Sequence, residues 1–588
     1  MDIYAPNAYS NLAANASNFD KDHARLKSRE AWREDERWQI DTRISQLQQL
    51  QHPEHVLLDL KIQRNQLSVI SQLPSEMLSR IFIFVEWAAK YENPGYGRPR
   101  WVDFTYVSRH WRGVALGTPS LWSDIKLFVT PWLRAMLERS QHLPVDLTAN
   151  LGGNRSPRLI KVGIETLKPH VSRLRQLELY AQRRDVLEQF LDILPTSLPD
   201  LYSLFIVYHN HYDTLDLPQN LFIDGVPKLR EVALSGCRIP RKFGLFQPGL
   251  TFLHVSFNRG MTATDASEAA DDFLRVLESM PALEGLSIQF VFPDFSKTER
   301  GREPIQLPCL ESLSLQAELS DIADFLKLIS IPTSAHVTVE SLEEMPSIEA
   351  MPDFVAALHS SWLSAPLMQA GSPQPPPCMK ALEVVSNDNY WCLRAWFTDV
   401  ANCMDINLEL TQMLVDANYT SEELGKVLFY LPLGDIRTLN LCGSITADPY
   451  MVSIGQWQSL KHISLDGTVI ETFLEYMETD PSLSDGLSST PTFLTSLEDL
   501  KITGADIYHK ECPETLPVEA LLDFLMIRYE FGSAIRSLKL VGYIDLAESE
   551  VERIRHIVGD IGTHWNGPMN YKEHGKPAAE PNSDLCSE

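Results

Sequence analysis

The densest group of metal-ligating side chains is His209-Asn210-His211 with Asp213, placed after the aliphatic run LYSLFIVY, where a loop is expected. Two imidazoles and a carboxylate could hold a zinc-like ion. A polar loop closing a strand has the same composition, however, and that reading is preferred, so no metal site is assigned. Glu548 and Glu550 in LAESEVERIRHIV form the nearest thing to a catalytic carboxylate pair. They stand where a helix begins, and acidic residues there complement the helix dipole. The eight cysteines (237, 309, 378, 392, 403, 442, 512 and 586) include no pair separated by only two residues, so neither a zinc ribbon nor a redox CxxC is present. No glycine-rich phosphate loop, GxSxG elbow or HExxH helix occurs, and no nucleophile stands beside a base at a recognisable spacing. The expectation is a non-catalytic chain with no cofactor and no metal, whose chemistry is recognition.

Recognition needs elements to carry it, and residues 70–125 offer the first. The segment SEMLSRIFIFVEWAAK places Met77, Leu78, Ile81, Phe82, Val85 and Ala88 on one helical stripe, with Phe84 and Trp87 off it. A second helical segment, WVDFTYVSRHWRGVAL, repeats the spacing with Phe104, Val107, Trp111 and Val114. Between them the 14 residues from Trp87 to Arg100, with two prolines and two glycines, read as a loop. Burying each large side chain is worth about 1.5 to 3 kcal/mol. So short a unit carries more of them than it can bury alone, which points to a partner that covers the excess. The same residues could instead be the core of a small helical domain.

Leu73-Pro74 opening a helix, Ile81-Phe82 within it, Val107 and Trp111 on a later helix, and then Leu121-Trp122 resemble the F-box family, in particular its expanded branch in mushroom-forming fungi. The resemblance implies a three-helix unit docking on the Skp adaptor of a cullin-RING ubiquitin ligase. Adaptor contact would fall to Leu73, Pro74, Ile81, Phe82, Val85, Val107 and Trp111. Many members carry a cysteine and lysine before the tryptophan, whereas this chain has Ser108, Arg109 and His110.

Beyond Trp122 one pattern recurs: an aliphatic, two residues, an aliphatic, one residue, an aliphatic. It begins at Leu174, Leu201, Leu229, Leu250, Leu283 and Leu310, in steps of 27, 28, 21, 33 and 27, and returns at Met379, Ile436, Leu460, Leu497 and Ile535. Degenerate copies at Ser334 and Asp405 help to bridge the gap. Each copy reads as a short strand followed by a return segment that is often helical. A single unit cannot bury its apolar face, but stacked units share one core. The pattern resembles irregular leucine-rich repeats without the asparagine ladder; a compact mixed α/β fold is the alternative. Strand alternation puts Glu178, Glu231, Glu340, Glu383, Glu409, Asp466 and Asp499 on the concave sheet, against Lys501 and Lys539. That acidic face would be the candidate target-binding surface.

The expected class is therefore α/β, an N-terminal helical F-box followed by an irregular leucine-rich-repeat-like solenoid with a curved parallel sheet. Its parts would be a disordered start and charged helical leader (1–69), the F-box (70–125), the repeats (126–563) and a disordered tail (564–588). Fifty-one basic against 78 acidic residues give a net charge of −27, which argues against nucleic acid or an anionic membrane as partner. The absence of a long apolar run or a signal-like N-terminus leads to the expectation of a cytoplasmic or nuclear protein. The functional expectation is the substrate-recognition subunit of a Skp-cullin-F-box ligase, with an unknown protein as target. The alternative is a repeat scaffold whose F-box does not engage the ligase.

Overall fold

The computed structural model describes residues 30–49, 54–92, 100–126, 130–152, 156–210, 213–238, 244–257, 263–290, 292–298, 302–342, 350–363, 379–387, 390–396, 413–417, 433–443, 457–478, 494–503, 517–530, 532–541, 548–558 and 564–565, with residues 428, 431, 451, 454 and 455 in addition. The chain divides into two compact units, one of residues 1–179 with 186–200, the other of 180–185 with 201–588. No described helix is long and apolar enough to cross a membrane.

In the first unit, α1 (30–49) and α2 (Glu54–Gln66) make up the helical part of the leader. Arg64 Nε reaches Asp41 Oδ1 at 2.5 Å between them. Helix α3 (Ser75–Glu92) begins directly after Pro74 and runs six residues into the stretch expected to be a loop. Alanine, lysine and glutamate at 88–92 favour the helix, and Asn93-Pro94 disfavours its continuation. The next stretch, expected as one helix, is divided into a 3-10 turn (Arg100–Tyr106) and α4 (Arg109–Leu116). The cause is local: the Ser108 hydroxyl accepts a hydrogen bond from the Trp111 backbone N–H at 3.1 Å and so caps a new helix start. Leu78, Phe82, Trp101, Val102, Phe104, Leu121 and Trp122 make the core of this part.

The unit continues as β1 (Asp124–Lys126), α5 (Thr130–Arg139), β2 (Val145–Asn150), α6 (Pro157–Leu167), and most of β3 (Leu174–Ala181) and α7 (Arg184–Leu191), whose residues 180–181 and 184–185 fall in the second unit. Strands β1 and β2 pair in parallel with Ile125 opposite Leu147, and β2 pairs with β3. Alternation along β2 and β3 buries Val145, Leu147, Ala149, Leu177 and Leu179 on one side.

The second unit is built on β4 (Ser203–Tyr208), β5 (Leu215–Asp216), β6 (Glu231–Ser235), β7 (Cys237–Arg238), β8 (Phe252–Phe257), β9 (Gly285–Phe290), β10 (Ile305–Gln306), β11 (Ser312–Ala317), β12 (Ile329–Ser330) and β13 (His336–Ser341). There follow β14 (Ala381–Asn387), β15 (Tyr390–Trp396), β16 (Met413–Ala417), β17 (Thr438–Gly443), β18 (His462–Asp466), β19 (Asp499–Thr503), β20 (Ser537–Val541) and β21 (His564–Trp565). In β4, β6, β8, β9, β11 and β13 the strand begins two residues after the pattern does. These six lie side by side, all parallel. Register aligns the repeated aliphatics into two ladders. One is Leu204, Val232, Leu253, Leu286, Leu313 and Val337, and the other is Ile206, Leu234, Val255, Ile288, Leu315 and Val339. All twelve side chains are at most 1% exposed.

Helices α8 (Ala263–Glu278), α9 (Leu319–Leu326) and α10 (Ala350–Leu358) return the chain between strands. Phe273 and Phe325 from two of them meet at 6.2 Å over the ladders' side of the sheet.

The order of strands then departs from the order of the chain. β13 pairs with β16, β16 with β15, β15 with β14, and β14 with β17. β15 is antiparallel to both its neighbours, and the parallel run resumes through β17, β18, β19 and β20. The sequence reading named no strand at 390–396 or 413–417; the copy it placed at Asp405 lies outside the described residues.

Candidate interaction surfaces

Helix α3 turns a different side inward from the one its stripe suggests. Leu78 and Phe82 are buried at 0% and 1% exposure, and the next residue in that i, i+4 line, Glu86, is buried too. Phe82 stacks on Phe104 with ring centroids 4.0 Å apart and planes 7° from parallel, and it meets Trp111 at 5.2 Å. Trp101 joins Phe104 to Trp122, whose indole N–H donates to the Ala115 carbonyl at 2.9 Å. Phe82, expected as an adaptor contact, is therefore core: it holds α3 against the aromatic cluster and offers no surface to a partner.

The remaining expected contacts divide by exposure. Pro74, Val85 and Val107 are exposed, and Leu73, Ile81 and Trp111 are half-buried. The Trp111 indole N–H is enclosed without an acceptor among the described residues, which costs about 1 to 3 kcal/mol. Phe84 and Trp87, off the predicted stripe, are the largest side chains shown to solvent among the described residues of α3, at 72% and 56% exposure, beside Met77 and Ile83. The signal that could have found them was present: Phe84 and Trp87 are large aromatics that fall outside the helix's apolar stripe.

In the second unit the side of the sheet away from the ladders carries the other candidates. Glu231 and Glu340 stand there without an ion pair among the described residues. Asp499 accepts from or pairs with His462 Nδ1 at 2.6 Å, and Asp466 lies on the next strand in register with Thr503. Glu383 is buried, closed off by an ion pair with Arg394 and by the Asn440 amide donating at 2.7 Å. It is a satisfied structural carboxylate, which corrects its expected place on an open acidic face. Arg394 comes from the unforeseen antiparallel strand β15, so only tertiary pairing could reveal it. Glu409 lies outside the described residues. In the first unit Glu178 on β3 is half-buried and accepts from the Thr148 hydroxyl at 3.2 Å.

From β4 to β13 the middle row of this side reads Phe205, Ala233, His254, Ser287, Ser314 and Thr338. His254 Nδ1 is 2.9 Å from the Ser287 hydroxyl, and burial holds its imidazole below the usual range. Beside it Phe252 lies across Gly285, where an added Cβ would stand 2.6 Å from the ring. The face is thus mainly neutral here and charge-paired further on, rather than uniformly acidic.

Asp213 is bound by the Tyr208 hydroxyl at 3.0 Å and Arg184 at 3.3 Å, His209 stacks on Tyr180, and His211 lies outside the described residues. Burial pushes the Cys237 thiol up to about 12, and burial with Glu383 and Asp466 nearby does the same for Cys442. Such thiols stay protonated at neutral pH and are poor nucleophiles.

No protein-family model matches the chain. No curated protein matches it either.

Proposed function

We propose that this chain is the substrate-recognition subunit of a Skp-cullin-F-box ubiquitin ligase. Residues 70–125 would act as the F-box and bind the adaptor, and the leucine-rich-repeat-like array would hold a protein target. The reading is carried by α3: the helix packs one line of side chains into an aromatic core, yet shows Met77, Ile83, Phe84, Val85 and Trp87 to solvent. Large apolar side chains grouped on one short helix mark an interaction site. The parallel strands at near-regular spacing support a repeat array, because each strand buries only one side and leaves the other for binding. The subunit itself would be non-catalytic. It would act by proximity, raising the effective concentration of target lysines near a conjugating enzyme held elsewhere in the complex.

The test is affinity purification of the intact chain beside a Leu73→Ala/Pro74→Ala variant from a cytoplasmic and nuclear extract, with partners identified by mass. Adaptor and cullin should be recovered with the unaltered chain and lost together from the variant, while target proteins remain. Neither mutated side chain is buried, so the fold should persist. Absence of adaptor and cullin from the unaltered chain would leave a repeat scaffold and overturn the ligase assignment.

A further inference from the structure

The groove between α5 and α6 stands apart from both surfaces described above. It measures about 710 Å³, within the size range of ligand pockets, and lies wholly in the first unit. Its apolar lining includes Leu137 of α5, which is buried, and Val162 of α6, which is 45% exposed. Its walls are charged. Arg134 projects from α5, while Arg158 and Lys161, one helical turn apart, project from α6.

None of these three cations is in an ion pair or side-chain hydrogen bond among the described residues. That is unusual where acidic residues outnumber basic ones by 78 to 51, and where two of them, Glu138 and Glu165, line the same groove. At the groove's end the His170 imidazole accepts from Arg173 through Nδ1 at 3.4 Å. Arg173 is anchored in turn to the Leu143 carbonyl and the Ser140 hydroxyl, so this wall is rigid.

We infer that this groove binds a short acidic peptide segment of a partner protein, its carboxylates meeting Arg134, Arg158 and Lys161 and an apolar side chain resting on Leu137 and Val162. The cations sit on two opposite helices with carboxylates among them, an arrangement that suits several spaced negative charges. Glu138 and Glu165 in the same lining repel any anion, so a bound segment must set its carboxylates against the three cations and its apolar side chain against Leu137 and Val162. A body of net charge −27 repels acidic peptides in general. Any such binding must therefore be local to a site of this kind.

The experiment titrates the full chain into the fluorescein-labelled peptide Glu-Asp-Leu-Asp-Glu-Glu and reads fluorescence anisotropy. Arg134→Glu/Lys161→Glu serves as the variant and an all-glutamine peptide as the control. All the altered side chains are exposed, so the fold is retained, which circular dichroism checks. Saturable binding is expected, weakening with salt, falling at least about tenfold in the variant and absent for the glutamine peptide. No binding, or equal binding by the variant, overturns the inference. Displacement by inorganic phosphate beyond the effect of matched ionic strength would assign the groove to a phosphoryl group and overturn it equally. None of these outcomes depends on the adaptor, so the ligase reading stands or falls separately.

Discussion

Phe82 and Phe84 are two residues apart on one helix, and their replacement by alanine should have opposite consequences. Phe82 is 1% exposed and its ring lies 4.0 Å from Phe104 and 5.2 Å from Trp111. Truncating a buried phenylalanine costs about 3 to 5 kcal/mol, depending on how far the surroundings collapse into the space. Phe104 is held from behind by Trp101, and Trp101 by Trp122, so little collapse is available and a value of about 4 kcal/mol or more is expected. Phe84 is 72% exposed, and its truncation should change stability by no more than about 0.5 kcal/mol.

Hydrogen–deuterium exchange of peptides covering 75–92 reads this locally in the full chain. Phe82→Ala should speed exchange of the protected amides by roughly a thousandfold, since each 1.4 kcal/mol is about a factor of ten, while Phe84→Ala leaves it unchanged. If the proposed function holds, Phe84→Ala should still lose adaptor in a pull-down. Equal protection in the two variants, or greater loss in Phe84→Ala, would refute the assignment of inward and outward sides on which the site rests.

Three further outcomes test the second unit. Arg394→Met leaves the buried Glu383 carboxylate without its cation and should destabilise the unit by about 3 to 5 kcal/mol in urea unfolding. The Arg394→Met/Glu383→Met double variant should recover most of that, and a double variant no better than the single would sink the pairing argument. Gly467 has φ +90°, and a Cβ there would stand 3.0 Å from the Gly443 carbonyl oxygen, so Gly467→Ala should cost about 1 to 3 kcal/mol; an unchanged melting temperature would contradict this. Burial depresses the His254 pKa, so between that value and the unfolded 6.5 the unfolded chain binds more protons. The stability from neutral His254 is complete above pH 6.5 and declines as pH falls through this window. Denaturant midpoints should follow that slope, and His254→Gln should flatten it; a slope of opposite sign would show that His254 does not control it.

Much of the architecture was legible in the residues alone, because strand alternation is a local property. What matters is that aliphatics stand two apart after a turn, as in LTFLHV and LESLSL, and these became β8 and β11 with the expected side buried.

What the sequence could not decide is which of several adjacent apolar residues turns inward, and which distant segment lies alongside. On α3, Met77, Ile81 and Val85 compete with Leu78 and Phe82 at nearly equal hydrophobicity, and the choice was made by the positions of Phe104 and Trp111 on two other elements. Pairing of β14 with β15, and the place of β16 beside β13, depend on backbone hydrogen bonds across the sheet, which leave no periodic trace in the chain. Glu383 looked like one more exposed acid in a repeat until β15 brought Arg394 over it. Periodicity fixes a residue's side of its own strand or helix; burial and charge pairing belong to the neighbours, and those are set only when the whole core has packed.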